Sequence, residues 1–408
     1  MVDELLGEDV SLWVGTTKQT HYPELNNDQT VYDVIVVGGG ITGIVTAYKL
    51  LLNGLTVALI EKRRIVDWTT GGSTAKLTSQ HYLIYDYLIK RHGKDAAQAF
   101  ADANQNGIDE IEQLSEELAI DCDFSRRSAY VFTNEDQKFE AIKAEVVAAL
   151  ELGLPASFET TIELPFPVKA AIKFSDQAQF HPRKFLLALT EQFVANGGVI
   201  YENTEATNIR TGEPHVIVTN QGELRGNSIV QASGEPFWDN DMLKGRMWPK
   251  MSYALAVKLK EGSAYPQHMY ITTDDPLRTI RTAPYDDGEV LIFGGESHEY
   301  DEDSYNPDDH YKKLIEDVYK RFDVEKVLYR WLAGDNMPYD RMPYIGPHPD
   351  HPSIYIVTGY RAWGLAWAMS AADVIAGYIS DAPVEWAKHF SLERLKVPAL
   401  EEDRDKGV

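Results

Sequence analysis

The sequence predicts an α/β protein in which a discontinuous, Rossmann-like nucleotide-binding domain is interleaved with an α+β domain built on an antiparallel sheet. Three observations lead to this fold class. A buried strand, a glycine-rich turn and a helix follow one another over residues 31–53. The alternation of strands and helices then stops near residue 60 and resumes only near residue 199. Residues 252–295 carry closely spaced strand patterns separated by turns, which is typical of an antiparallel sheet.

The first unit has a clear strand, helix, strand pattern. Val31–Val37 is rich in β-branched residues, as in a strand that is buried on both faces. The helix that follows is predicted to end near Asn53, because Gly54 breaks it. Thr56–Ile60 is predicted to be a second buried strand, which ends at Glu61.

The turn between the first strand and the helix carries a nucleotide-binding pattern. Gly38, Gly40 and Gly43 fit the spacing G-x-G-x-x-G, and they directly follow a predicted strand and open a predicted helix. Glycines at these positions permit a tight turn, close approach of a pyrophosphate and close helix–strand packing. The helix N-terminus at Ile41 and Thr42 offers free N–H groups and a positive dipole to that anion.

The same unit narrows the choice of nucleotide. Glu61 lies 23 positions after Gly38, where a carboxylate accepts hydrogen bonds from an adenosine ribose. A loop, Trp68–Lys76, follows in place of regular strand–helix units, and this interrupted layout suits FAD. No second glycine fingerprint follows a strand, so a separate NAD(P)H site is not expected. An NAD-dependent dehydrogenase of ordinary doubly wound fold stays open as an alternative.

Further elements follow from hydrophobic periodicity and from glycine and proline breaks. Helices are predicted near 93–118, 135–151, 182–197, 308–321 and 365–379. Strands are predicted at 128–132, 199–201, 215–219, 228–232, 253–259, 268–273, 278–282, 289–293 and 354–358. These elements give an N-terminal arm (1–30), an FAD-binding domain (31–120, 178–245 and 335–395), a substrate domain (121–177 and 246–334) and a tail (396–408).

Composition excludes several functional classes. The 63 acidic residues outnumber the 39 lysines and arginines, giving a net charge of -24, which argues against binding to nucleic acid or to an anionic membrane surface. A single cysteine, Cys122, excludes an internal disulfide and every multi-cysteine metal site, so no metal is expected. The N-terminus has no signal pattern and the most apolar region, 34–60, is interrupted by glycines, so a cytoplasmic protein without a membrane span is expected.

Five segments together resemble the D-amino-acid oxidase superfamily of FAD enzymes, which includes glycine, sarcosine and gamma-glutamylputrescine oxidases. The segments are Val34–Gly43, Glu61, the loop 68–81, Gln179–Pro182 and Asp340–Gly346. The loop from Thr69 to Lys76, with Gln80 and His81, is similar to that of bacterial FAD oxidoreductases fused to a Rieske domain. A Rieske centre needs two cysteines, so with Cys122 alone flavin is expected to be the only redox centre.

The resemblance implies a set of contacts with a non-covalently bound FAD. The pyrophosphate would lie at Gly38, Gly40, Ile41, Thr42 and Gly43, and the ribose at Glu61 with Lys62 and Arg63 beside it. Adenine would meet Ala206, and Ala232, Ser233 and Gly234 would pass near the ribose or pyrophosphate. The ribityl chain and flavin ring would contact Thr70, Ser73, Thr74, Ala75 and Lys76, with Gly359, Trp363, Gly364 and Leu365 under the ring.

The last of these contacts has its own physical reason. Reduced flavin carries negative charge near N1 and C2=O, and the N-terminus of a helix that begins near Leu365 would stabilise that charge. Gly359 and Gly364 would let the backbone approach closely.

The predicted reaction is oxidation of a C–N bond in a small amine or amino acid, with hydride transfer to flavin and oxygen or an external acceptor taking the electrons. Lys76 is expected to raise the flavin potential, and Arg281 to clamp a substrate carboxylate. Tyr253 is a candidate pocket residue, and His81 is expected to close over the ring. A flavoprotein whose FAD is structural, acting as a subunit of a complex, stays open as a second alternative.

Overall fold

The computed structural model describes residues 7–239, 241–300 and 306–396. The predicted tail therefore lies almost wholly outside the described residues. Helices in this part of the chain are α1 (Leu12–Gly15), α2 (Ile41–Leu52), α3 (Tyr85–His92), α4 (Lys94–Glu117), α5 (Phe139–Glu151), α6 (Pro182–Ala195), α7 (Pro307–Arg321) and α8 (Gly364–Ile379).

The strands fall into two sheets. In chain order they are β1 (Glu8–Asp9), β2 (Val31–Val37), β3 (Val57–Ile60), β4 (Lys76–Leu77), β5 (Ser125–Thr133), β6 (Ala156–Glu159), β7 (Ala170–Gln179), β8 (Val199–Tyr201), β9 (Ala206–Arg210), β10 (His215–Thr219), β11 (Gly222–Gln231), β12 (Met247–Leu259), β13 (Met269–Thr272), β14 (Arg278–Tyr285), β15 (Gly288–Glu299), β16 (Val324–Pro338), β17 (Tyr344–His348) and β18 (His351–Thr358).

The first sheet, called here the nucleotide sheet, has the strand order β17-β18-β11-β2-β3-β8, with β10 and β9 attached to β11. The pairs β18–β11, β11–β2, β2–β3 and β3–β8 are parallel. Parallel central strands are buried on both faces, which is why β2 and β3 are nearly continuous apolar runs. The strands come from three separate stretches of the chain, as a discontinuous Rossmann-like domain requires.

The second sheet, called here the large sheet, has the order β1-β16-β12-β15-β14-β13-β5-β7-β4, with β6 paired to β7. Most neighbours are antiparallel, but β13 pairs with β5 in parallel, and β1 pairs with β16 in parallel. The predicted fold class is confirmed, with the qualification that the antiparallel sheet includes these two parallel pairs. The domain boundaries themselves stay a prediction.

Helix α2 fixes the geometry of the glycine-rich turn. It packs against α8 and α6 and is buried on nearly every side. A Cβ on Gly43 would lie 1.8 Å from the carbonyl oxygen of Gly38, and a Cβ on Gly38, whose φ is +117°, would lie 2.4 Å from the carbonyl oxygen of Ala232. Glycine at these two positions is therefore a steric requirement of the helix–strand packing.

The N-terminal arm contains short regular elements. It contains β1 and the single helical turn α1, which Ser11 caps by accepting from the amide of Val14. Trp13 of that turn is almost fully buried. The arm therefore belongs to the core at the back of the loop that precedes β4.

Helix α3 and strands β7 and β16 are among the elements that the sequence prediction omitted. Helix α3 is short, and the buried carboxylate of Glu145 on α5 accepts from the amides of Ile84, Tyr85 and Asp86 at its start. In strands β7 and β16, polar residues interrupt the alternation of apolar and polar positions by which a strand is recognised in a sequence. Among the described residues, no helix combines the length and the apolar character needed to cross a membrane.

The packing of the turn gives a direct test. Gly43→Ala is expected to destabilise the fold by about 1–3 kcal/mol, because the added methyl group overlaps a backbone carbonyl. Thermal unfolding checks this, with Gly288→Ala as the control, since a Cβ there meets nothing within 4 Å. Equal stability of the two variants would contradict the packing described.

Candidate functional site

A cavity of about 900 Å³ lies between the two sheets. On one side its wall is formed at the carboxyl ends of parallel strands of the nucleotide sheet, by Val37, Ile60, Ala232 and Thr358. Residues of β12, β14, β15 and β16 form the other side. Ligands of open α/β sheets bind at the carboxyl ends of the strands, so this cavity is the expected cofactor and substrate site.

Two helix N-termini face the cavity. Helix α2 begins after Gly40 and α8 begins after Trp363, and neither cap residue makes a side-chain capping hydrogen bond. Neither helix has an acidic residue in its first turn, while Ile41 and Leu365 both line the cavity. The positive ends of two helix dipoles therefore converge on one space, which favours a ligand with separated negative groups.

The residues present fit FAD. A Cβ at Gly40 would meet the Thr70 hydroxyl at 3.1 Å and no other described atom within 4 Å, so the glycine leaves room beside the helix end. The indole N–H of Trp363 is buried without a hydrogen-bond partner among the described residues. Such an unsatisfied donor in a cavity wall is satisfied when a ligand with acceptor atoms binds.

Glu61 is placed where the ribose contact requires a carboxylate. Its Oε2 accepts from the amide of Gly39 at 2.6 Å, and its Oε1 accepts from the amide of Arg63 at 2.9 Å. Burial raises the pKa of Glu61, and these two hydrogen bonds oppose that rise. Each oxygen keeps a further lone pair that can accept a hydroxyl hydrogen bond.

Most predicted contact residues line the cavity. Gly43 and Ala75 do not, because Gly43 packs against the turn and Ala75 is buried behind the loop. The lining set comprises Gly38, Gly40, Ile41, Thr42, Glu61, Lys62, Arg63, Thr70, Ser73, Thr74, Lys76, Ala206, Ala232, Ser233, Gly234, Gly359, Trp363, Gly364 and Leu365.

Lys76 is a buried cation in the cavity wall. Only 7% of its surface is exposed, and its Nζ donates to the hydroxyls of Thr74 and Thr279. No carboxylate of the described residues forms an ion pair with it. Burial, together with the nearby charge of Arg281, lowers the pKa of Lys76 from 10.5 to about 7. A lysine in this state readily gains a proton when negative charge enters the cavity.

Arg281 does not lie where the predicted carboxylate clamp requires. It is 1% exposed and is absent from the cavity wall. Its guanidinium donates to the backbone carbonyls of Thr74, Ala75 and Thr282. With its donors directed at the backbone, Arg281 supports the loop before β4, and the structure does not support the clamp role.

Tyr253 lies in the cavity wall, but its ring faces α7. The ring stacks on His310 with centroids 4.6 Å apart, and the hydroxyl lies 3.0 Å from Nε2 of His298. Nδ1 of His298 lies 2.7 Å from the carbonyl oxygen of Glu299, so Nδ1 carries the ring proton and Nε2 accepts from Tyr253. A catalytic role for Tyr253 stays a prediction, and its partner His298 lies on β15.

His81 lies behind the cavity wall rather than over the cavity. Its ring stacks on Trp363 with centroids 4.8 Å apart, and its Nε2 donates to the carbonyl of Thr78. Burial lowers the pKa of His81 to about 3, so the ring is neutral. The contact supports Trp363, the residue before α8, and His81 does not close over the cavity as expected.

Asp335 is a cavity residue that sequence reasoning missed. Its carboxylate accepts from the amides of Asn336 and Ala362, and desolvation raises its pKa to about 6. Arg361 and Ala362 both have positive φ values, 54° and 69°, so Asp335 holds a strained turn directly before α8. The sequence has no motif at this position, since an aspartate within a long strand carries no signal of its own.

One cluster of metal-ligand types lies elsewhere. Asp239, His348 and His351 bring their ligand atoms within 4.8 Å of one another. Nδ1 of His348 accepts from the amide of Asp350 at 3.1 Å, which leaves the ring proton on Nε2. Nε2 faces Asp239 at 3.1 Å. A protonated Nε2 cannot ligate a metal, so the cluster is a histidine–aspartate pair beside a second histidine.

Comparison with known families identifies the class of protein. The family described as FAD dependent oxidoreductase, DAO, matches residues 33–378. The chain belongs to this family, and it is an FAD-dependent oxidoreductase. The match excludes the alternative of an NAD-dependent dehydrogenase of ordinary doubly wound fold.

Individual relatives cover most of the chain. A Bacillus subtilis protein, YhfW, whose name describes a Rieske 2Fe-2S iron-sulfur protein, is 34% identical over 95% of this chain and 76% of its own length. The gamma-glutamylputrescine oxidoreductase of Escherichia coli is 24% identical over 86% of this chain and 84% of its own. Glycine oxidase from Geobacillus kaustophilus has the same fold, with a TM-score of 0.75 at 18% identity over 88% of this chain and 98% of its own.

The buried state of Lys76 predicts a pH-dependent stability. Between pH 7 and 10.5 the unfolded chain binds a proton that the folded chain does not, so the cost of burying Lys76 is full below this window and disappears above it. Apoprotein Lys76→Met is therefore expected to melt higher than the wild type at pH 6, with a difference that shrinks toward pH 10. The exposed Lys143→Met is the control, and a difference independent of pH would contradict the burial.

Proposed function

We propose that this protein oxidises a C–N bond in a small amine or amino acid. When bound, FAD supplies the hydride acceptor, and the product is an imine that hydrolyses in water. The observation that carries the proposal is the convergence of two helix N-termini, neither capped by the side chain of its own N-cap residue, and Lys76 on one cavity of the family's fold. The names of the relatives, which include glycine oxidase and gamma-glutamylputrescine oxidoreductase, support an amine or amino-acid substrate.

The chain's own residues would perform three tasks. The start of α2, with Gly40 and Thr42, would bind the pyrophosphate, and Glu61 would accept from the ribose. The start of α8 and the Lys76 ammonium would stabilise negative charge on the flavin ring. The described wall holds no cysteine to tether the flavin, so binding would be non-covalent.

The apolar residues opposite the glycine-rich turn would shape the substrate pocket. Ala254, Ile271 and Leu277 line the cavity on the large sheet, and they would exclude water from the reacting C–H bond. The substrate amine must be neutral to be oxidised, and a dry pocket disfavours its charged form. Electrons would leave to oxygen or to an external acceptor.

An anaerobic substrate screen tests the reaction. The purified protein is mixed with glycine, sarcosine, L-proline and N-substituted putrescines, and the flavin absorbance at about 450 nm is followed. At least one compound is expected to bleach the flavin. A yellow protein that no amine or amino acid bleaches would contradict the proposal and would favour a flavoprotein whose FAD is structural.

A substitution tests the placement of the pyrophosphate. Gly40→Val is expected to purify without FAD, because its side chain would occupy the space beside the start of α2. The FAD-to-protein ratio and thermal stability are measured together. Gly288→Val, at a position with open space around it, serves as the control. Full FAD content in Gly40→Val would place the pyrophosphate elsewhere.

A further inference from the structure

The loop that ends at Lys76 is held by its backbone carbonyls. The carbonyl oxygen of Gly72 accepts from the indole N–H of Trp331 at 2.8 Å, and that of Ser73 accepts from the indole N–H of Trp13 at 2.7 Å. The next two carbonyls accept from the guanidinium of Arg281. Four consecutive carbonyls, from residue 72 to residue 75, are thus bound by three side chains from three separate elements.

This arrangement determines what faces the cavity. With the carbonyls held from behind, the side chains of Ser73, Thr74 and Lys76 line the cavity wall. Ala75 has a φ of 55°, a left-handed conformation that an alanine adopts only under constraint. Its carbonyl bond to Arg281 supplies such a constraint.

Arg281 is also a charge without a matched anion. Its guanidinium lies over the ring of Trp13, 5.3 Å from the centroid, and no described carboxylate forms an ion pair with it. Burial lowers the pKa of Arg281 to about 9, and the charges of Asp123 and Arg127 act on it more weakly. The charges of these two buried groups, Arg281 and Lys76, repel each other.

We propose that Arg281 is a positioning residue of the flavin site, which holds the backbone of Thr74 and Ala75 and so fixes the place of Lys76 in the cavity wall. The charge of Arg281 also acts on the Lys76 ammonium. The inference rests on the proposed function, because Lys76 acts on the flavin only if the ring lies beside it. No substrate contact is assigned to Arg281.

Among the charged groups of the described residues, Arg281 is the one whose charge lowers the pKa of Lys76. The groups in contact with its Nζ are the neutral hydroxyls of Thr74 and Thr279, and the residue opposite it on β7 is the neutral Gln179. Asp335, an acidic residue of the cavity wall, is not among the causes of its shifted pKa. Loss of the Arg281 charge should therefore raise the pKa of Lys76.

Sulfite binding to the oxidised holoenzyme measures this effect without turnover. Sulfite adds to flavin N5 and places negative charge on the ring, so its affinity reports cationic groups nearby. Dissociation constants are measured by flavin absorbance between pH 6 and 9. The ionisation of sulfite itself is common to all variants and cancels in the comparison. Lys76→Met is expected to weaken sulfite binding about tenfold or more. It should also remove the inflection that the titration of Lys76 causes in the plot of log Kd against pH.

Three variants separate charge from position. Arg281→Gln keeps donors for the carbonyls but removes the charge, and it is expected to move the Lys76 inflection upward by about one pH unit. Arg281→Lys keeps the charge and loses the forked geometry, so affinity should fall with the inflection unmoved. Trp13→Phe keeps an aromatic ring beside Arg281 but removes the bond to Ser73, and it should behave like Arg281→Lys.

The outcomes are distinguishable. The inference would be overturned if the inflection lies at the same pH in Arg281→Gln as in the wild type while Lys76→Met abolishes it. That result would leave the proposed function intact. If Lys76→Met leaves the sulfite affinity unchanged, Lys76 does not lie beside the flavin ring, and its proposed role is overturned. If Arg281→Gln loses FAD, the apoprotein provides the test. In the Arg281→Gln background the stability difference caused by Lys76→Met at pH 6 should be smaller and should begin to fall at a higher pH, because the folded pKa of Lys76 is closer to its unfolded value. An unchanged profile would contradict the inference.

Discussion

The meeting of two helix N-termini and the buried Lys76 at one cavity is the constraint on which the rest of this structure depends. The starts of α2 and α8 point their dipoles into the cavity, and Lys76 adds an amino group that no described carboxylate pairs with, so its pKa is lowered. A ligand that brings negative charge to these groups favours the protonated form of Lys76. FAD, with a pyrophosphate at one end and a ring that becomes anionic on reduction at the other, has the required separation of charges.

The interleaving of the two sheets follows from the same constraint. The nucleotide sheet contributes one wall and the large sheet the other, and the chain passes between them several times. The loop between β3 and β4 makes the first passage, with little secondary structure of its own. Side chains from the arm, from β14 and from β16 hold its carbonyls, so its order depends on parts of the chain that are distant in sequence.

Sequence reasoning worked best where local chemistry decides the structure. The turn after β2 has no room for a Cβ at Gly38 or Gly43, so the glycine spacing marks it in the sequence. Glu61 follows directly after β3, and the nucleotide half of the site could therefore be predicted. Side-chain direction in the large sheet could not, because it depends on register. Arg281 and Tyr253 belong to sheet strands, and pairing places one behind the loop and the other toward α7. Asp335 was missed for a related reason, because its carboxylate binds the turn at Ala362, about 27 residues away in the sequence.

The midpoint potential of the bound flavin, compared between wild type and Lys76→Met at neutral pH, tests the central claim most directly. A cation beside the ring stabilises the reduced anion, so the account predicts a more negative potential in the variant, with FAD affinity and folding retained. Equal potentials in the two proteins would show that the flavin ring does not lie beside Lys76, and would contradict the organisation of the site described here.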